Sequence, residues 1–125
     1  MMAALSACHD DKADEKKQLG DILSIHDKVM GASEELTKEK IRIDSAVKLS
    51  SSTDVIKKLK SVSAKLGMAD SAMDNWMHNF NPDYTGKSHT EIMEYLHNQR
   101  IKLITVDSMM TSAINESKKS GVPAK

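Results

Sequence analysis

The stretch that decides the fold is residues 55–80, VIKKLKSVSAKLGMADSAMDNWMHNF. Its apolar residues alternate at spacings of four and three along the whole stretch, and they are Val55, Leu59, Val62, Leu66, Ala69, Met73, Trp76 and Phe80. This alternation fills the two inward positions of a heptad repeat, which is typical of a helix packed against other helices. The pattern therefore predicts one long central helix, and the rest of the chain supplies its partners.

Two further heptad patterns flank the central stretch. Residues 17–48 carry apolar side chains every seven positions, at Ile22, Val29, Leu36 and Ile43, and residues 89–118 do so at Leu96, Leu103 and Met110. A hydroxyl-rich link at residues 49–54 favours a helix start, and Pro82 disfavours helix just before it. Because short links join antiparallel neighbours, we predict an all-α, antiparallel up-down-up three-helix bundle with helices at about 17–48, 53–80 and 89–118.

The predicted core of this bundle draws on the middle and third helices. Its members share inward heptad positions, and they are Leu59, Leu66, Met73, Trp76, Phe80, Leu96 and Leu103. A buried Trp76 needs a partner for its ring N–H, and we expect that partner among residues 81–84. The alternative is an exposed Trp76 that docks a ligand or a partner at the end of the bundle.

The composition limits the classes of function. The 125 residues suffice for one domain, and 18 basic side chains balance 18 acidic ones, which gives no electrostatic reason to expect nucleic acid as a partner. Three helices offer no natural deep cleft, and the sequence has no nucleophile-elbow pattern. We therefore predict that the protein is not an enzyme and that it uses no cofactor.

The first residues carry a motif for lipid attachment. Leu5-Ser6-Ala7-Cys8 resembles the bacterial lipobox, in which the cysteine thiol takes up a diacylglyceryl group, and Cys8 is the only cysteine. An ordinary N-terminus with a chance cysteine is the alternative. We interpret residues 1–7 as a residual lipoprotein signal, 8–16 as a polar tether and 119–125 as a frayed, disordered tail. Seven residues without a basic side chain are short for a complete signal, so we expect either that translation starts upstream or that the signal has been trimmed.

Lipid on Cys8 would decide where the protein resides. Two or more acyl chains anchor a protein stably, so we expect an outer-membrane lipoprotein of the bacterial cell envelope, either periplasmic or surface-exposed. Asp10 and Asp11 resemble the export signal of surface lipoproteins in Bacteroidetes-type bacteria. We expect a monomer that has a protein partner in the envelope. A dimer formed through a surplus apolar stripe is the alternative.

Residues 67–84, GMADSAMDNWMHNFNPDY, resemble a segment of small helical lipoproteins of Bacteroidetes-type bacteria, which are sometimes labelled viral A-type inclusion proteins. The matching residues are Ala69, Asp70, Ala72, Met73, Trp76, Met77 and Phe80. The Tyr95-Leu96 pair of the third helix also matches, so the resemblance covers about residues 66–117 together with the lipobox. It implies a helical lipoprotein and brings no established activity.

Metal binding is the sharper alternative to a purely structural interpretation. His89, Met93 and His97 are spaced four residues apart on the third helix, and Met73, Met77 and His78 end the central helix. Thioether and imidazole ligands suit Cu(I). The nine methionines are also explained as helix formers and adaptable core fillers. We therefore predict a non-catalytic structural or protein-binding module without a metal site, and an envelope copper-binding protein as the alternative.

Overall fold

The protein folds into three long helices that each pack against the other two. The computed structural model describes residues 10–123, which contain α1 (Asp11–Leu49), α2 (Thr53–Asn79) and α3 (His89–Lys118) and no strand. Asp44 of α1 accepts a hydrogen bond from Ser63 of α2, whereas His26, earlier on α1, lies beside Trp76, later on α2. These two helices therefore run antiparallel. The prediction of an all-α, up-down-up three-helix bundle is confirmed.

One apolar core runs the length of the bundle. Of the predicted core residues, Leu59, Leu66, Met73, Leu96 and Leu103 are buried to 2% exposure or less, and Trp76 retains 7%. Val55 shares a heptad position with Trp76 but is 44% exposed, so its predicted place in the core is wrong. The reason is length: α1 and α3 end at Leu49 and Lys118, and neither extends to the level of Val55.

The first helix begins earlier than predicted. Residues 11–16, predicted as part of a tether, form the first turns of α1. Asp10 is the N-cap, because its carboxylate accepts the backbone N–H of Ala13 at 3.2 Å, and Asp11 and Asp14 place negative charge at the positive end of the helix. The apolar pattern missed these turns because they are polar. The N-cap and the favourable charges stabilise the start of the helix there, although these turns carry no apolar stripe.

The chain after α3 also differs from the prediction of a frayed tail. Residues 119–123 fold back onto α1: the Ser120 hydroxyl donates to the Ser117 carbonyl at 2.6 Å, and Arg42 donates to the carbonyl of Val122. Gly121 makes the reversal with a φ of 82°, which glycine adopts without steric cost. The Val122 side chain packs against the core. The described part of the tail is therefore ordered by specific contacts.

The connection between α2 and α3 closes one end of the bundle. Ser52 is the N-cap of α2 and Ser88 is the N-cap of α3, and serine is a preferred residue at this position. Each serine hydroxyl accepts a hydrogen bond from the backbone N–H three residues later in the chain. Helix α2 ends at Asn79, one residue before the predicted end, and Phe80 is an extended C-cap residue. Phe80 is only partly buried, so its predicted place in the core is corrected to the core's edge.

The predictions for the start of the chain lie outside the described residues. These are the residual signal at residues 1–7 and the lipidation of Cys8, and they stay predictions. Residues 124–125 of the predicted tail also lie outside. Within residues 10–123, none of the helices combines the length and the apolar character that a membrane crossing requires.

Candidate functional site

A long groove runs along the outer junction of α2 and α3, and we call it the α2–α3 groove. Three depressions of about 490, 270 and 210 Å³ follow one another along it, each lined by residues of both helices. The lining side chains repeat every seven residues, at Lys58, Lys65, Ala72 and Asn79 of α2 and at Lys102, Met109 and Glu116 of α3. Most of these positions hold small or polar side chains, and Met109 is the large apolar one among them.

The walls of the groove are apolar near its middle. Met68 is 62% exposed, and it faces the partly buried Met109 across the central depression. Ala113 and Val106 lie deeper, and both are buried. A partner that covers this apolar floor and the exposed methionine would gain free energy, because burying apolar area away from water is favourable.

The rim of the groove is positively charged. Lys58, Lys102 and Lys119 are exposed and line it, and no carboxylate among residues 10–123 pairs with any of the three. Lys65 and Glu116 form the ion pair that crosses the groove, with both carboxylate oxygens 2.9 Å from the ammonium nitrogen. The groove thus carries four cations against one anion, in a chain whose total charge is zero.

The other two junctions are joined by polar side chains. Between α1 and α3, Lys28 pairs with Asp107 at 3.1 Å and Lys118 pairs with Glu35. Between α1 and α2, Ser63 donates to Asp44, and Lys40 reaches both of them. The Ser63 hydrogen bond and the Lys40 charge lower the pKa of Asp44 against the opposing effect of its burial. Polar side chains therefore bridge these two junctions as well as the α2–α3 junction, which the Lys65–Glu116 pair crosses.

A second polar cluster joins α1 to α3 near the C-terminal end of α3. Glu39 of α1 accepts hydrogen bonds from Arg42 and from the buried Ser117 hydroxyl, both at 2.8 Å. Burial alone would raise the pKa of Glu39, but these hydrogen bonds outweigh it and lower the pKa. A lowered pKa makes Glu39 a poor base, and Ser117 is enclosed. This cluster therefore links helices and has no features of a nucleophilic site.

Aromatic rings stack at the end of the bundle that is closed by residues 80–88. Trp76 stacks on Phe80 with ring centres 4.8 Å apart, and Tyr95 lies beyond Phe80 at 6.2 Å. The Trp76 N–H donates to the backbone carbonyl of Gln99 on α3 at 3.2 Å, so the predicted partner among residues 81–84 is wrong. The carbonyl was missed because it belongs to a helix distant in sequence. The buried ring also rules out the exposed, docking Trp76.

An acid–histidine contact joins the starts of α1 and α3. His89 Nδ1 lies 3.0 Å from Glu15 Oε1, and His89 Nε2 lies 3.7 Å from Asp11 Oδ1. The hydrogen bond to Glu15 raises the pKa of His89, burial opposes the change, and the charge of Asp11 adds to it. This contact holds the first turns of α1 against α3. These turns were predicted from the sequence to be part of a tether.

The six residues considered for a copper site do not converge. Met73 is enclosed in the core, and His89 already bonds to Glu15. Met77 lies two heptads from Ser63, so it shares the edge of α2 that contacts α1. Met93 lies two heptads from Asp107, so it shares the edge of α3 that contacts α1 from the other side.

His78 and His97, the two remaining candidates, are exposed, and His78 Nδ1 lies 2.9 Å from the Asp74 carbonyl of its own helix. Among residues 10–123, no three histidine, cysteine or carboxylate side chains are grouped as metal ligands.

Comparisons of the chain with protein-family models, with curated proteins and with solved structures find no match. The groove residues were not singled out from the sequence, although a signal for them exists. Lys58, Lys65 and Ala72 repeat every seven residues beside the apolar seam of α2, as Lys102 and Met109 do beside that of α3. Extending the heptad analysis to the flanking positions would have identified these edges on both helices.

Proposed function

We propose that this protein is a non-catalytic, helical protein-binding module of the bacterial cell envelope, anchored by lipid on Cys8. The observation that carries the binding role is the α2–α3 groove. Within residues 10–123, it combines an apolar floor with exposed methionine and unpaired lysines, and the Lys65–Glu116 ion pair crosses it. Surfaces with an apolar centre and a polar rim are typical of protein interfaces.

The polar clusters support a role without catalysis. The side chains of Glu39, Arg42 and Ser117 bond to one another, as do those of Lys40, Asp44 and Ser63. Each cluster joins two helices and has a packing role that accounts for its presence. Neither lies in the groove, where a bound molecule would have access.

The start of α1 supports an orientation at the membrane. Asp10 caps α1, so a single residue, His9, separates Cys8 from the first described residue. Lipid on Cys8 would therefore hold the end closed by residues 80–88 close to the bilayer. The groove leads away from that end along α2, whose 27 residues span about 40 Å at 1.5 Å each. Its far part, at Lys58 and Lys119, would stay accessible to a partner.

Site-specific photo-crosslinking in the native envelope tests the binding role. A photoreactive amino acid replaces Ser112, which lines the groove, and in a matched control it replaces Ser24, an exposed serine on α1. We expect a discrete protein adduct from position 112 and none from position 24. Equal adducts from both positions, or none from position 112, would contradict a docking role for the groove.

A further inference from the structure

We infer that the α2–α3 groove binds an acidic amphipathic helix of a partner protein, which packs on the bundle as a fourth helix. This inference rests on the proposed function, since it names the partner chemistry of the same groove. Three properties of the groove carry it: its length, the shape of its floor and the sign of its charge.

The length of the groove matches a helix of ordinary size. Its lining residues on α2 extend from Lys58 to Asn79, and the 21 helical steps between them, at 1.5 Å each, span about 31 Å. A partner helix of about three heptads would cover this distance. Two helices side by side also form the ridges and grooves into which a further helix packs, as in four-helix bundles.

The floor of the groove suits the apolar stripe of a helix. Ala72, Ser112 and Ala113 line it with short side chains, which allow another helix backbone to approach closely. Met68 and Met109 lie in the central depression, and methionine adapts its shape to irregular partners. The partner is therefore expected to insert aliphatic residues at heptad spacing into the middle of the groove.

The positive charges on the rim of the groove favour a partner with negative charge. Lys58 and Lys119 lie together at one end of the groove, and Lys102 lies towards the other. A helix whose flanking positions are acidic would meet these cations towards both of its ends, as flanking charges do in coiled coils. A second copy of this chain, docked groove to groove, would instead oppose lysine to lysine.

Three synthetic helices provide the probes, and the full chain is used throughout. The first is a 21-residue amphipathic helix, about three heptads, with leucine and alanine on one face and glutamate flanking it. The second has lysine in place of every glutamate. The third keeps the acidic composition in scrambled order, so that it has charge without an apolar face. Binding is measured by fluorescence anisotropy, and rising salt should weaken binding of the acidic helix because it screens surface charges.

The protein variants reverse the charge of the groove. The variant Lys58→Glu/Lys102→Glu/Lys119→Glu changes only exposed side chains, and its circular dichroism checks that the helices are retained. We expect it to bind the acidic helix at least about tenfold more weakly, because each attraction becomes a repulsion.

The matched control reverses three exposed lysines on the first turns of α1, Lys12→Glu/Lys16→Glu/Lys17→Glu, and so makes the same change in net charge. We expect its affinity for the acidic helix to stay within about twofold of the parent protein, because distant exposed charges are screened by salt.

The outcomes separate this inference from the proposed function. Binding of the acidic helix alone, lost in the groove variant and kept in the control, supports it. Equal or tighter binding of the basic helix overturns the acidic chemistry and leaves the groove as a docking site. Failure of every helix to bind, with an adduct still formed from position 112, overturns the helical partner only.

Two further results would assign the groove to a different kind of partner. Binding to phosphatidylglycerol vesicles that is lost in the groove variant, with no helix bound, would assign the lysines to a lipid surface. A dimer in sedimentation that the groove variant abolishes would assign the groove to a second copy of the chain. Either result overturns the inference.

Discussion

Replacing Trp76 with alanine should remove about 3–5 kcal/mol from the free energy of unfolding. The indole is 7% exposed, so nearly its whole ring is removed from water by folding. About 150 Å² of lost apolar burial at about 25 cal/mol per Å² gives about 4 kcal/mol. This is a large share of the ~5–15 kcal/mol that stabilises a small domain, so the variant should be unfolded or nearly so.

Phenylalanine at the same position separates the ring from its hydrogen bond. Trp76→Phe loses the N–H that Gln99 accepts, but the Gln99 carbonyl lies within α3, where the helix supplies it with a backbone donor. No acceptor is then left without a partner, and a ring still faces Phe80. We expect a cost of about 1–2 kcal/mol, which is one hydrogen bond and a small loss of packing.

Urea denaturation followed by far-ultraviolet circular dichroism measures these differences, because the signal does not depend on the replaced indole. Val55→Ala is the matched control. Val55 shares the heptad position of Trp76 but is 44% exposed, so its replacement should change stability by no more than about 0.5 kcal/mol. A loss below about 1.5 kcal/mol for Trp76→Ala, which is half the lower bound for a buried tryptophan, would refute this description of the core.

Three further predictions concern single side chains. The buried Tyr84 hydroxyl has no hydrogen-bond partner among residues 10–123, so Tyr84→Phe should raise the free energy of unfolding by about 1 kcal/mol, and a loss of stability would show a partner. The pKa of His89 is raised above 6.5, so its stabilising contact with Glu15 is complete below about pH 6 and is lost as pH rises through the folded pKa. His89→Gln should flatten that part of the stability profile, and an unchanged profile would contradict the contact. Cys8→Ser in the full precursor should move the protein from the membrane to the soluble fraction, and pelleting after a carbonate wash would contradict lipidation.

The sequence predicted the parts of the fold that depend on apolar period. Leu59, Leu66 and Met73 repeat every seven residues, and a helix can bury such a stripe only against other helices, so the bundle followed. Val55 fits the same repeat but lies beyond the ends of α1 and α3. A repeat shows which side of a helix is apolar, and it cannot show where the neighbouring helices end.

The parts that the sequence did not predict depend on contacts between distant residues. The start of α1 is held by Glu15 against His89, and the C-terminal segment by Arg42 against Val122. Such pairs are 74 and 80 residues apart, and no local pattern joins them. The groove escaped prediction for a related reason, since Lys58 and Lys102 become one surface only when α2 and α3 lie side by side.

Methionine methyl NMR of the full chain, titrated with the acidic helix, tests the docking role of the α2–α3 groove most directly. Met68 and Met109 line the groove, whereas Met30 and Met77 are exposed elsewhere and serve as internal controls. We predict that the methyl signals of Met68 and Met109 shift with saturable, equimolar binding while those of Met30 and Met77 stay unchanged. Shifts at Met30 and Met77 with the groove signals unmoved would contradict the account.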